Sequence, residues 1–221
     1  MARIGVILLA AGRSSRFASG SHKLLASIDG VPVIRLAVTA AVDADVGDVY
    51  VVTGAQGSAV TNALDGLSVR VAHEPAFADG MAVSLRCGIN AVHGWADAAM
   101  IALGDQPGMR PEAYRRVAAQ WTESHAAVVV PRYAAATAPA HPTLFGAAIF
   151  DELLALEGDA GARSVIARDP SRVVEAPLEW PAPRDVDTVE DLELTMRELT
   201  IARESMSSRP GIGRPPTHDS Q

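Results

Sequence analysis

Leu8-Leu9-Ala10-Ala11-Gly12-Arg13-Ser14-Ser15-Arg16, with Lys23 close behind, is the stretch that sets the reading of the whole chain. The residues leading into it, Ile4 to Leu9, form an unbroken apolar run of strand length, the pattern of a strand buried on both faces. The run stops at small residues and a glycine, after which two arginines and a lysine arrive within about one loop's length. Glycine lets backbone approach a ligand closely and bares N–H groups to an anion. Arginine adds planar, permanently charged forks that suit phosphate oxygens. Strand, small-residue loop, then cations predicts phosphate binding at the carboxyl end of a parallel sheet. The expected ligand is a nucleoside triphosphate.

Outward from that loop, apolar runs alternate with helical periodicity. Val33 to Ala44, opened by Pro32, reads as a helix, and Asp48 to Thr53 as a second strand. Ser58 to Leu64 predicts a short helix, Ser68 to His73 a strand, and Met81 to Val92 a helix with Leu85, Ile89 and Val92 on one face. Ala98 to Leu103 is a fourth strand, halted by Gly104-Asp105-Gln106-Pro107. A helix from Pro111 lines up Tyr114, Val117, Ala118 and Trp121, and Ala126 to Val130 reads as a strand closed by Pro131. Tyr133 to Pro139 reads as a mobile loop, Thr143 to Phe145 as extended, Gly146 to Leu156 as helical and Arg172 to Ala176 as an edge strand. A last helix starts at Thr188, an N-cap, with Leu192, Met196 and Leu199 turned inward. The alternation implies one α/β domain, a mostly parallel twisted sheet covered on both faces, over residues 1–203. Residues 204–221, rich in serine, proline and glycine, read as a disordered tail.

Composition narrows the function. A formal net charge of -7 argues against a general binder of nucleic acid or anionic membrane, though it allows a local cationic pocket. The single cysteine, Cys87, permits neither an intrachain disulfide nor a cysteine metal cluster and reads as a small buried residue on a helix. The first apolar run is too short to span a membrane and lacks a cleavage-type sequel, which fits a cytoplasmic enzyme.

Four further places could carry chemistry. Asp105 follows a buried strand, where a carboxylate points into the ligand crevice of such sheets or else caps a turn. Asp185-Val186-Asp187-Thr188 sets two carboxylates in alternation before the last helix. Hard oxygen ligands of this kind suit Mg²⁺, while helix capping is the other reading, open to Asp185 even where Asp187 is a ligand. His141 stands in Ala140-His141-Pro142, and Gly158-Asp159-Ala160-Gly161-Ala162-Arg163 predicts a turn presenting Arg163 and backbone donors to an anion. Gly80 and Ser84 flank the start of a helix whose amino end can face an anion. The histidines lack zinc-ligand spacing.

These motifs, in this order from about residue 4 to residue 195, resemble the MobA-like nucleotidyltransferases. The Ala10-Ala11-Gly12 form is similar to the CTP-using molybdopterin cytidylyltransferase branch rather than to the GTP-using one, which has Ala-Gly-Gly. Gly80-Met81 with Ser84, Asp105-Gln106-Pro107, His141-Pro142, Gly158-Asp159 with Arg163, and Asp187-Thr188 with Glu190-Asp191 resemble that branch as well. The segment Phe17 to His22 is longer than the family's usual spacer, Ala140 replaces a glycine and Val189 replaces a proline.

The resemblance implies a three-layer αβα, Rossmann-like fold and Mg²⁺-dependent transfer of CMP from CTP to molybdopterin with release of pyrophosphate. Leu9, Ala10, Ala11, Gly12, Arg13, Gly80 and Ser84 would bind the nucleotide. Arg16, Lys23 and Asp105 would be catalytic, with Arg13, Arg16 and Lys23 on the leaving phosphates. Asp105 and Asp187 would hold Mg²⁺, and His141, Asp159 and Arg163 would meet the acceptor. A molybdoenzyme or its chaperone is a further implied partner. The alternatives are guanylyl or other nucleotidyl transfer, an NAD(P)H-dependent oxidoreductase of the same family, and a non-catalytic cofactor carrier. The oxidoreductase reading is disfavoured because no Gly-x-Gly-x-x-Gly follows the first strand.

Overall fold

The computed structural model of the chain describes residues 2–12, 14, 17, 22–134 and 140–207. The opening apolar run is strand β1 (Ile4–Ala10). After it come a two-strand ribbon, β2 (Ser27–Ile28) and β3 (Val31–Pro32), then α1 (Val33–Ala44), β4 (Asp48–Thr53), α2 (Gly57–Ala63) and β5 (Arg70–His73). The second half runs α3 (Met81–Val92), β6 (Ala98–Leu103), α4 (Pro111–Ser124), β7 (Val128–Arg132), β8 (Thr143–Gly146), α5 (Phe150–Leu154), α6 (Ala162–Arg168), β9 (Val173–Pro177) and α7 (Val189–Ser207).

Seven strands make one sheet in the order β5-β4-β1-β6-β8-β7-β9. β8 is antiparallel to both neighbours, and the other pairs are parallel. Successive side chains of β1 enter opposite layers, as strand geometry requires. Val6 and Leu8 join Ile34 and Val38 of α1 and Tyr114 and Val117 of α4, whereas Ile7 joins Leu85 and Ile89 of α3. Both faces of the sheet are therefore dry, giving the expected three layers. Gly88 lets α3 lie close on β1, since a Cβ there would sit 2.5 Å from Ile7 Cγ2. That close approach fixes the amino end of α3 beside the carboxyl end of β1.

Several local expectations are corrected. Gly146 ends β8 instead of opening a helix, and a 3-10 turn, Ala147–Ile149, precedes the short α5. β7 runs through Pro131 to Arg132; the β8 ladder ends at Val129, so the missing proline N–H breaks no β7–β8 bond. Arg163 is in the first turn of α6, capped by Gly161, and not in a free turn. The β2–β3 hairpin turns at Asp29-Gly30, both with positive φ, a dipeptide signal for that geometry. α7 runs to Ser207, past the boundary expected at Arg203, and residues 208–221 lie outside the described residues. So do 135–139, where the mobile loop was expected. Among the described residues no helix is long and apolar enough to cross a membrane.

Candidate active site

Strand order reverses at β1, whose parallel neighbours are β4 on one side and β6 on the other. At such a reversal the loops after adjacent strands diverge and leave a crevice at their carboxyl ends. A cleft of about 580 Å³ lies there. It is lined by Leu9, Ala10, Ala11 and Gly12 at and beyond the end of β1, by Lys23, by Gly80 before α3 and Met81 and Ser84 within it, by Leu103 and Asp105 at and beyond the end of β6, and by Asp185 and Asp187. The structure thus gathers nine of the sequence-predicted residues with Asp159 also in the wall. Arg13 and Arg16 lie outside the described residues.

Lys23 reaches the cleft despite the long spacer before it. It opens a 3-10 turn, Lys23–Leu25, anchored by the buried side chain of Leu24. The Lys23 N–H donates to Ser14 Oγ at 3.3 Å, and His22 Nε2 lies 3.2 Å from Gly12 O, tying the turn to the loop after β1. The Lys23 ammonium then donates to Asp105 Oδ2 at 2.5 Å and to Asp187 Oδ1 at 2.7 Å. Only 12% of the lysine side chain is exposed, so these contacts are poorly screened. Burial would lower the Lys23 pKa, but Asp105 and then Asp187 outweigh it, and the group is held charged above the usual lysine range. Burial pushes the Asp105 carboxyl up, opposed by Lys23 and reinforced by Asp185 and Asp187. Asp105 Oδ1 is buried with no hydrogen-bond partner among the described residues. A desolvated carboxylate with an orphaned oxygen can accept a hard cation.

The carboxylates before α7 divide their roles differently from the capping expectation. Thr188 and Asp191 form a reciprocal cap: the Thr188 N–H donates to Asp191 Oδ2 at 2.9 Å and the Asp191 N–H to Thr188 Oγ1 at 3.1 Å. Asp185 accepts instead from Gln106 Nε2 at 2.7 Å. The Val186 N–H donates to Asp105 O at 2.9 Å, and Val186 is fully buried, which docks this segment on the end of β6. The Asp-Gln-Pro run marked Gln106, but its partner 79 residues away has no local signature.

A second cleft of about 370 Å³ adjoins the first and shares Leu9, Met81, Leu103, Asp159 and Asp185 with it. Its own residues include His141, Thr143, Arg163 and Ile166. His141 Nδ1 lies 3.2 Å from Ile101 O, an acceptor only, so Nδ1 carries the proton and Nε2 is the acceptor of the neutral ring. Burial lowers the His141 pKa, which favours that neutral form. The wall between the clefts is built where α3 meets the loop before α6. The Ala82 N–H donates to Gly158 O at 3.0 Å, and Gly161 packs under Met81 Sδ. Among the described residues no three His, Cys, Asp or Glu side chains converge on a metal-sized space, and the two carboxylates that meet in the cleft, Asp105 and Asp187, are bridged by Lys23. Cys87 is partly buried on α3, and burial raises its thiol pKa.

Residues 6–173 match the MobA-like NTP transferase domain, well over half of the chain. The chain belongs to that family. It is also similar to Rv0371c of Mycobacterium tuberculosis H37Rv, at 31% identity and a TM-score of 0.74, covering 89% of this chain and 99% of that one. Another structure of Rv0371c is a complex with manganese. A nucleotidyl transferase from Methanothermobacter thermautotroptrophicus aligns at 26% identity and a TM-score of 0.76, over 90% of this chain and 99% of that one. The bifunctional protein GlmU of Trichlorobacter lovleyi is 32% identical over 132 residues, which is 59% of this chain and 28% of GlmU. The chain therefore matches little more than a quarter of that curated relative's length.

Proposed function

We propose that the protein is a nucleotidyltransferase that moves CMP from CTP to molybdopterin and releases pyrophosphate. The observation that carries the reading is the convergence of Lys23, Asp105 and Asp187 beside the Ala10-Ala11-Gly12 loop, with a second cleft opening from the same wall. CTP occupies the first cleft, its phosphates against the backbone of Ala11 and Gly12 and the cations Arg13, Arg16 and Lys23. The acceptor occupies the second, where Arg163 meets its phosphate and His141 and Asp159 accept from its N–H or O–H groups. The terminal phosphate oxygen of the acceptor attacks the α-phosphorus in line; the bond to the β-phosphate oxygen breaks, and pyrophosphate carries away the electron pair. No protein base is required, because a phosphate monoester is already ionised near neutral pH. What the chain supplies is placement and charge neutralisation on the departing phosphates.

Two converging carboxylates, one with an orphaned buried oxygen, fit a Mg²⁺ ion completed by phosphate oxygens and water. Held by Asp105 and Asp187, Mg²⁺ would withdraw charge from the phosphoryl oxygens. That a similar protein, Rv0371c, forms a complex with manganese supports a divalent cation for this chain.

Base choice is tested by pyrophosphate release with molybdopterin and either CTP or GTP. CTP is expected to be used at least about ten-fold better, the discrimination of roughly one well-made hydrogen bond. Equal or better use of GTP would overturn the CTP assignment.

A further inference from the structure

We propose that Lys23 is the resident cation of the Asp105–Asp187 pair and must leave it before a divalent ion can bind, so that triphosphate and metal enter together. The inference rests on the nucleotidyltransferase reading of the site and adds an order of events to it. The Lys23 nitrogen lies 2.5 Å from Asp105 Oδ2 and 2.7 Å from Asp187 Oδ1, between the two oxygens. A Mg²⁺ ion needs its oxygen ligands at about 2.0–2.1 Å, so it would fall in the volume that the ammonium fills. Two positive centres cannot share that space, where little water screens their repulsion.

The exchange has a mechanical basis. The Lys23 backbone is held by buried Leu24 and by Ser14, so its turn stays in place. The four-carbon stem has rotatable bonds that can re-aim the ammonium without moving the turn, and lysine binds as a point charge. The same cleft holds the loop after β1, so a triphosphate arriving there brings oxygens that can take the ammonium over. Asp105 and Asp187 are then left to the ion. In the nucleotide-free protein Lys23 keeps the two carboxylates together against their mutual repulsion, and it also keeps stray divalent ions out. Lys23 is in this respect a positioning residue for the ion, apart from its contact with phosphate.

The test is Mn²⁺ binding to the full chain without nucleotide, read from the free Mn²⁺ signal by electron paramagnetic resonance. Lys23→Met should bind Mn²⁺ at least about ten-fold more tightly than wild type, because it removes a positive charge from between the ligands. Lys23→Gln, which keeps a hydrogen-bond donor but no charge, should do the same and stands in if the methionine variant does not fold. Asp105→Asn should lose the site. Lysine variants that bind no more tightly than wild type, with binding still lost in Asp105→Asn, would overturn the exchange while leaving the metal reading standing. Absence of Asp105-dependent Mn²⁺ binding in every variant would overturn both.

Discussion

Asp105→Ala is expected to reduce pyrophosphate release by about a thousand-fold or more, the scale on which phosphoryl-type transfer depends on charge placed at the leaving group. The substitution removes the carboxylate that meets Lys23 at 2.5 Å and whose second oxygen is buried without a partner. The fold should tolerate it. Burial already opposes ionisation of Asp105, so the carboxylate is held there at a cost in stability, and Lys23 keeps Asp187 at 2.7 Å as a counter-ion. The expected change in thermal midpoint is therefore within about 4 °C, the shift of roughly 1 kcal/mol in a chain of this size. Steady-state pyrophosphate release and a thermal melt on the same preparation check both halves. Near-normal turnover would remove Asp105 from the machinery. Lost turnover with a collapsed melt would make it a structural residue.

Gly80→Ala should have the largest effect on stability of any change near the clefts, about 3 kcal/mol, from backbone strain and a steric clash together. Gly80 sits at φ +118°, a region that side-chain-bearing residues rarely enter, and a Cβ there would penetrate the Gly158 carbonyl. That carbonyl is the acceptor of the Ala82 N–H, so relief of the clash would pull the loop before α6 away from the amino end of α3. The wall between the two clefts would open. Gly158→Ala is the control: its φ of +57° is strained, yet no atom lies within 4 Å of the added carbon. It should cost only about 1 kcal/mol, the left-handed penalty alone. The two midpoints in urea compare these costs directly, and equal losses would mean that the Gly80–Gly158 contact carries no weight.

The sheet was legible because strands buried on both faces write themselves as apolar runs, and β1, β4 and β6 fall on the runs expected for them. The direction of β8 was not legible. A strand with all four residues buried has no polar face and no directional mark, and only its pairing with β6 and β7 reveals that it is antiparallel. α6 escaped because seven residues with one buried side chain, Val165, are too few for a helical period. The Asp29-Gly30 hairpin carried a sufficient signal in its dipeptide.

At the candidate site the sequence named Lys23, Asp105 and Asp187 separately, each by the loop or motif around it. Their meeting depends on segments 82 and 164 residues apart along the chain, and no local pattern encodes it. The Gln106–Asp185 bond was hidden for the same reason, so that capping stood open as a role for Asp185. The segment before Lys23 is longer than the family's usual spacer, yet buried Leu24 anchors the turn from which Lys23 reaches the cleft.

The central claim, transfer of a nucleotidyl group, is tested most directly by following the α-phosphorus. Full-length protein, molybdopterin, Mg²⁺ and CTP labelled at the α-phosphate should yield a labelled acceptor that needs all four components, with unlabelled pyrophosphate released in equal amount. Label that remains in CTP, or that appears only as CMP regardless of acceptor, would contradict the account.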